Sequence, residues 1–316
     1  MAPYRSLILL LAILLLGCRP ATPTPEATPV TGATLTPDPA AETSRPLTQT
    51  PTAGGVTPEQ VQNSLYELGA ASSPRQVQLV DGLYQEGAAG GEDFLLVRMT
   101  EHIALGDLDG DGVNEAAAVV TENYGGSGVF MFLAVYAEQD DQAVYQTSTF
   151  IDDRARIQGL EIENEEVWLL ATVHRFDEAM CCPTLETERH YRWFNNQLDM
   201  SDYATFTPDG RPRTIRIESP ANGTEVSGSF QVKGSVAIAP FENNLIYSMK
   251  DVGNVEISRG AVTVTAEELG APGTFDVTIP MSDTLWPGAV IVLEIQDVSV
   301  ADGTLMAMDS VRLVVK

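Results

Sequence analysis

Between Ala104 and Val120 the chain reads ALGDLDGDGVNEAAAVV, an acidic stretch set between apolar runs. Counted from Asp107, carboxylates stand at positions one, three and five (Asp107, Asp109, Asp111). Gly112 follows at six, the carbonyl of Val113 at seven and Glu115 at nine. This spacing matches the first nine positions of a calcium-binding loop, where alternation turns carboxylates inward and glycine makes the sharp bend. Position twelve is Ala118 instead of the bidentate glutamate, so the full helix–loop–helix hand is absent. Two like charges ~4 Å apart cost about 1 kcal/mol in water and about 4 kcal/mol at an effective dielectric of 20. Converging carboxylates therefore need a cation, whereas carboxylates splayed into solvent do not. The segment is either an inter-strand turn holding one calcium ion, with affinity on the order of 0.1–1 mM, or a solvated Asp/Gly turn. Paired with a second acid across a cleft it would serve a carboxylate-dependent hydrolase, but the sequence places no such partner.

The string DLDGDGVNE resembles the calcium loops of integrin-type FG-GAP propeller repeats, in which a strand follows the loop. Those repeats come in many copies and this chain carries one, so a propeller is not implied. Other chemistry is thinner. Asn123–Gly128 (NYGGSG) lacks the lysine of a phosphate-binding loop. The three histidines, His102, His174 and His190, stand in no metal spacing, and His102 reads as a packed or surface residue; a Cys–His pairing of His174 with Cys181 or Cys182 is opposed by the adjacency of the two cysteines. Cys181 and Cys182 are adjacent, with Cα atoms ~3.8 Å apart against a usual disulfide range of roughly 4.4–6.8 Å. A vicinal disulfide acting as a local clamp before Pro183 fits an oxidising compartment, while C-x-x-C redox and zinc spacings are missing. No catalytic residue is assigned.

The positioning elements begin with a leader. MAPYRSLILLLAILLLGC places Arg5 before an apolar run from Leu7 to Leu16, ten residues long. That suits a signal-peptide core and is too short to span a membrane. Leu15-Leu16-Gly17-Cys18 resembles the lipobox of bacterial lipoproteins. The resemblance implies a signal peptide over residues 1–17 and diacylglycerol, with further acylation such as palmitate, on Cys18 as first residue of the mature chain. Residues 18–56 form a linker. Between Arg19 and Pro58 lie nine of the nineteen prolines and eleven threonines, too little apolar surface to repay ordering. The net charge of −26, with only three lysines, excludes nucleic acid as a partner and disfavours a basic face for anionic lipid.

The expected fold is mainly β with an α+β part. Residues 57–203 begin with a helix, TPEQVQNSLYELG, capped by Thr57 and Gln60 and ended by Gly69, with Val61, Leu65 and Leu68 on one face. Strand-like runs follow, turned at Asp140-Asp141, Asn164-Glu165 and Asn195-Asn196, giving an antiparallel sheet. Residues 213–316 read as a β-sandwich, with strands at Thr214–Glu218, Ser229–Ser235, Asn244–Lys250, Val255–Ser258, Ala261–Thr265, Gly273–Ile279, Val290–Val298 and Ser310–Val315.

Two further resemblances rest on strings. Gly106–Gly112, Gly125–Gly128 and Cys181–Thr184 together resemble a domain of uncharacterised bacterial lipoproteins, a resemblance that carries no assigned activity. Ser219-Pro220, Gly223, SGSFQVKGSV, Phe241-Glu242-Asn243, GTFDVTIP and Asp302-Gly303 resemble the immunoglobulin-like domain of spore-germination proteins, the second Gmad type. This implies an extracytoplasmic sandwich with no known catalysis. Read from the residues themselves, Phe241 plugs the core and Glu242 caps a turn, the alternative being a ligand contact at Phe241-Glu242. The functional expectation is a non-catalytic lipoprotein at the extracytoplasmic face of the cell membrane, binding an envelope protein or cell-wall polymer; the alternative is the hydrolase.

Overall fold

A computed structural model describes residues 54–281 and 285–316. The leader, Cys18 and the linker up to residue 53 lie outside the described residues. The first half comprises α1 (Pro58–Gln62), β1 (Leu65–Glu67), β2 (Gln76–Gln78), β3 (Leu83–Glu86), β4 (Leu95–Gly106), β5 (Glu115–Asn123) and β6 (Phe130–Gln139). It continues with β7 (Gln142–Asp153), β8 (Arg156–Glu163), β9 (Glu166–Val173), β10 (Leu185–Phe194) and β11 (Gln197–Thr205). The second half holds β12 (Ile215–Ser219), β13 (Glu225–Val226), β14 (Ser229–Val236), β15 (Asn244–Asp251), β16 (Glu256–Ala266), β17 (Gly273–Pro280), β18 (Val290–Val298) and β19 (Leu305–Val315). The molecule is mainly β, and its pairing is antiparallel apart from the short β13–β19 ladder.

The helix starts where its caps dictate. The Thr57 hydroxyl accepts from Gln60 N–H at 3.3 Å, and the Gln60 side chain accepts from Thr57 N–H at 2.8 Å. It then stops at Gln62, seven residues short of the expected Gly69. Leu65–Glu67 is drawn instead into a ladder with β2, and burial switches to period two: Leu65 is 46% exposed while Tyr66 is fully buried. The expected face of Val61, Leu65 and Leu68 therefore fails at Leu65. The linker also ends early: Val56 is buried and its N–H donates to Asn114 O at 3.0 Å.

Strands β3 to β7 form a five-stranded meander. Its central strands are buried on both faces. Ala116, Ala118, Val120, Ala134 and Tyr136 pack under α1 and the β1–β2 hairpin with Val61, Tyr66 and Leu79. Ala117, Val119, Leu133 and Val135 pack on Val167, Leu169 and Ala171 of β9. Burial on both sides accounts for the unbroken apolar runs of these strands. The three paired turns are two-residue hairpins with positive φ at both positions: 53° and 60° at Asp140-Asp141, 54° and 61° at Asn164-Glu165, 51° and 62° at Asn195-Asn196.

The second half is an immunoglobulin-like sandwich. Strand β16 belongs to both layers, pairing with β15 from Glu256 to Thr263 and with β17 from Val264 to Ala266. The two strands expected at Val255–Ser258 and Ala261–Thr265 are this single strand. Phe241 is 59% exposed and does not plug the core. The turn Phe241–Asn243 carries Glu242 at φ 56° and makes no side-chain cap, so Glu242 does not cap it either. The core is built from Val232, Met249, Val262, Phe275, Ile279, Leu293 and their neighbours.

The two halves share one sheet. Asp202, Tyr203 and Ala204 of β11 pair with Asp309, Met308 and Ala307 of β19, so β8–β11 extend the sandwich layer. The joint sets two carboxylates opposite each other. Burial, reinforced by the Asp309 charge, pushes Asp202 up to about 7. Burial pushes Asp309 up to about 6, opposed by the Ile217 N–H that it accepts. Both folded values exceed the unfolded value of about 3.9, so the folded state binds more protons between about pH 4 and pH 7 and stability falls as pH rises through that window. Asp202→Asn should therefore raise the melting temperature at pH 8 by roughly 2–4 °C for each kcal/mol of relieved repulsion. Calorimetry should show no such rise at pH 4.

Candidate functional site

The Asp107–Glu115 loop joins β4 to β5 and is ordered by its own carboxylates. Asp107 accepts from Gly110 N–H at 2.7 Å and from Gly112 N–H at 2.9 Å. Asp109 accepts from Asp111 N–H at 3.1 Å, and Asp111 from Val113 N–H at 2.7 Å. Glu115 reaches back to Leu108 N–H at 2.7 Å. Gly110 and Gly112 sit at φ 81° and 86°, where a side chain would be strained. Gly106 serves a different need: a Cβ there would stand 2.5 Å from Ile162 Cγ2, so its absence lets β4 cross β8 closely.

Of the five expected ligands the structure gathers three. Carboxylate oxygens of Asp107, Asp109 and Glu115 lie within 4.8 Å of one another. Asp111 is exposed, spends an oxygen on Val113 N–H, and stands outside this group of side chains. Glu115 is 3% exposed, and burial, with the charges of Asp109, Asp111 and Asp107, pushes its carboxyl up to about 7 despite the bond from Leu108 N–H. A divalent cation held by these three acids would reverse that balance, because Ca²⁺ takes oxygen ligands and fills the rest of its shell with water.

The other singled-out residues are placed apart from the loop. Cys181 and Cys182 are joined to each other, with Cα atoms 3.8 Å apart. Glu178 clamps their loop by accepting from Arg175 N–H at 3.1 Å and from Thr184 N–H at 3.0 Å. His174 is tied through Nδ1 to Asp152 at 2.9 Å, and no free thiol stands beside it. His190 lies between Glu166 and Glu188, 3.4 Å from each. Burial opposes its charge, but the hydrogen bonds to both glutamates outweigh burial and push it up to about 9. Arg192 binds Glu166 at 2.6 Å. Glu188, His190 and Arg192 of this network alternate along one face of β10, and the pairing of β9 with β10 brings Glu166 to them, which the sequence does not show.

Residues 214–304 match the family described as the immunoglobulin-like domain of bacterial spore germination, which covers β12 to β18. No curated protein matches the chain.

The loop gives a prediction whose sign depends on the cation. With chelator present, Glu115→Gln keeps an acceptor for Leu108 N–H and removes a buried charge. It should melt a few degrees above the parent at pH 8 and level with it at pH 4, because the raised carboxyl costs stability only above its unfolded value near 4.3. Scanning fluorimetry at the two pH values checks this.

Proposed function

We propose that this chain is a lipoprotein of a bacterial envelope, anchored through diacylglycerol on Cys18, with a non-catalytic binding or structural role at the extracytoplasmic face. Its loop of Asp107, Asp109 and Glu115 takes a calcium ion that stiffens the junction between β4 and β5. The observation that carries the reading is one chain combining Leu15-Leu16-Gly17-Cys18 behind an apolar run with a half that matches a bacterial immunoglobulin-like family. That family is not a catalytic one, which supports binding over turnover. Among the described residues no helix is long and apolar enough to cross a membrane. The acidity of the chain works against nucleic acid, and the partner this reading names is an envelope protein or a cell-wall polymer.

Metabolic labelling with an alkyne palmitate analogue should tag the full chain in the membrane fraction. Cys18→Ala should lose the tag and leave that fraction; a variant that stays labelled would refute the anchor. Calcium at ten times its dissociation constant should stabilise the detergent-extracted chain by about 1.4 kcal/mol over chelator. With Glu115 titrating near 7, affinity should rise about tenfold from pH 6 to pH 8, read by titration calorimetry. Asp109→Ala should abolish the calcium response, and an unchanged response would remove the loop from the metal assignment.

A further inference from the structure

The Asp107–Glu115 loop, the turns at Asn164-Glu165 and Asn195-Asn196, and the second half meet around a cleft of about 540 Å³. This lies within the roughly 300–1,000 Å³ of small-molecule sites, which favour such junctions. Glu165 closes on the loop: a Cβ on Gly110 would stand 3.2 Å from its carboxylate oxygen. Asp109 forms one wall, Trp193 supplies aromatic surface, and Arg312 comes from β19 across the joint.

Two observations show which groups the cleft offers a ligand, the exposed side chains of two turns and an arginine of β19. The side chains of Asn164, Glu165 and Asn195 line it and make no hydrogen bond with any of the described residues. The Arg312 guanidinium lies over the Phe194 ring, 4.2 Å from its centroid, and among the described residues no carboxylate oxygen lies within 4.0 Å of it. Its neighbour Arg192, by contrast, is bound by Glu166 and by the Ser310 carbonyl at 3.2 Å. Arg312 therefore offers donors, Glu165 and Asp109 offer acceptors, and each Asn amide offers both.

Charge selects among ligands with that pattern. Arg192 is spent on Glu166, which leaves Asp109 and Glu165 against Arg312; in a chain of net charge −26 that balance works against an anion. The strands that line the cleft, β9, β10 and β19, each have neighbours on both sides, so they offer no free edge to pair an extended peptide. A small ligand without anionic groups, carrying closely spaced groups that both donate and accept, fits this lining. We propose that the cleft binds a short uncharged saccharide, its hydroxyls met by the Asn amides, the two carboxylates and Arg312. This deepens the binding role proposed above and rests on it for its setting at the envelope.

The test presents the full chain in detergent micelles to a printed array carrying neutral oligosaccharides, acidic oligosaccharides and acidic peptides. Neutral glycans should be retained. Arg312→Gln and Asn195→Gly should each weaken retention about tenfold, as expected for a lost hydrogen bond to a charged group or amide. Glycine tolerates the φ of 51° at position 195, so the turn survives; if Arg312→Gln melts early, Asn195→Gly alone decides. No retention of any neutral glycan, or retention unmoved by the substitutions, overturns the proposal. Preference for acidic glycans or peptides overturns the uncharged assignment. Palmitate labelling is read on the same preparation, so a labelled chain that retains no glycan loses the cleft alone, and an unlabelled chain that retains glycan loses the anchor alone.

Discussion

Three residue pairs between β11 and β19 carry a sheet from one half of the molecule to the other, and much else follows from that short seam. It aligns β8–β11 with the sandwich layer, so the hairpin turns of the first half stand beside Arg312 of the second. It also sets Asp202 and Asp309, both half-buried, opposite each other, an arrangement that costs stability as both ionise. Antiparallel pairs normally favour apolar or opposite-charge partners. The seam is therefore strong in backbone hydrogen bonds and weak in side-chain electrostatics, and its strength depends on proton concentration.

Buried carboxylates elsewhere show what full satisfaction looks like. Glu122 is wholly buried yet accepts from Tyr66 OH, Gly69 N–H, Ala70 N–H and Tyr124 OH, at 2.7 to 3.2 Å. Those four donors lock the β1 region and the chain after it onto β5. Glu115, at the other end of the same strand, has one donor and three acidic neighbours. The contrast along one strand separates a carboxylate that holds the fold from one whose charge awaits a countercharge.

Local rules were readable wherever a few neighbouring residues decide the outcome. The Thr57–Gln60 capping box, the three paired turns and most strand positions depend on spacing over two to four residues, and those appear as expected. Val61, Leu65 and Leu68 fit a helical period, yet the helix ends at Gln62 because Tyr66 is buried against Glu122, whose carboxylate accepts its hydroxyl. Phe241 is hydrophobic enough for the core, but the positive φ at Glu242 turns the backbone there and leaves Phe241 exposed. In the loop, alternation brings Asp107, Asp109 and Glu115 together but does not reveal that the Asp111 carboxylate stands outside their group. The cleft is invisible in the sequence because it joins residues about 200 positions apart, whereas the His190 network is half legible: Glu188, His190 and Arg192 alternate along β10, and Glu166 reaches them through the pairing with the preceding strand β9.

The placement of β19 has a consequence for how the molecule comes into being. It follows every other strand, yet it sits inside its sheet, flanked by β18 and β11. Asp109 and Arg312 are about 200 residues apart in sequence and come to face one cleft only once β19 has docked. Closing so long a loop is slow, and the sandwich layer and the β8–β11 hairpins expose unpaired edges until it happens. Recognition by this cleft is thus a late event in the life of each chain: the two hairpins and the acidic loop can form early, but they acquire a common function only when the final strand pairs with β11.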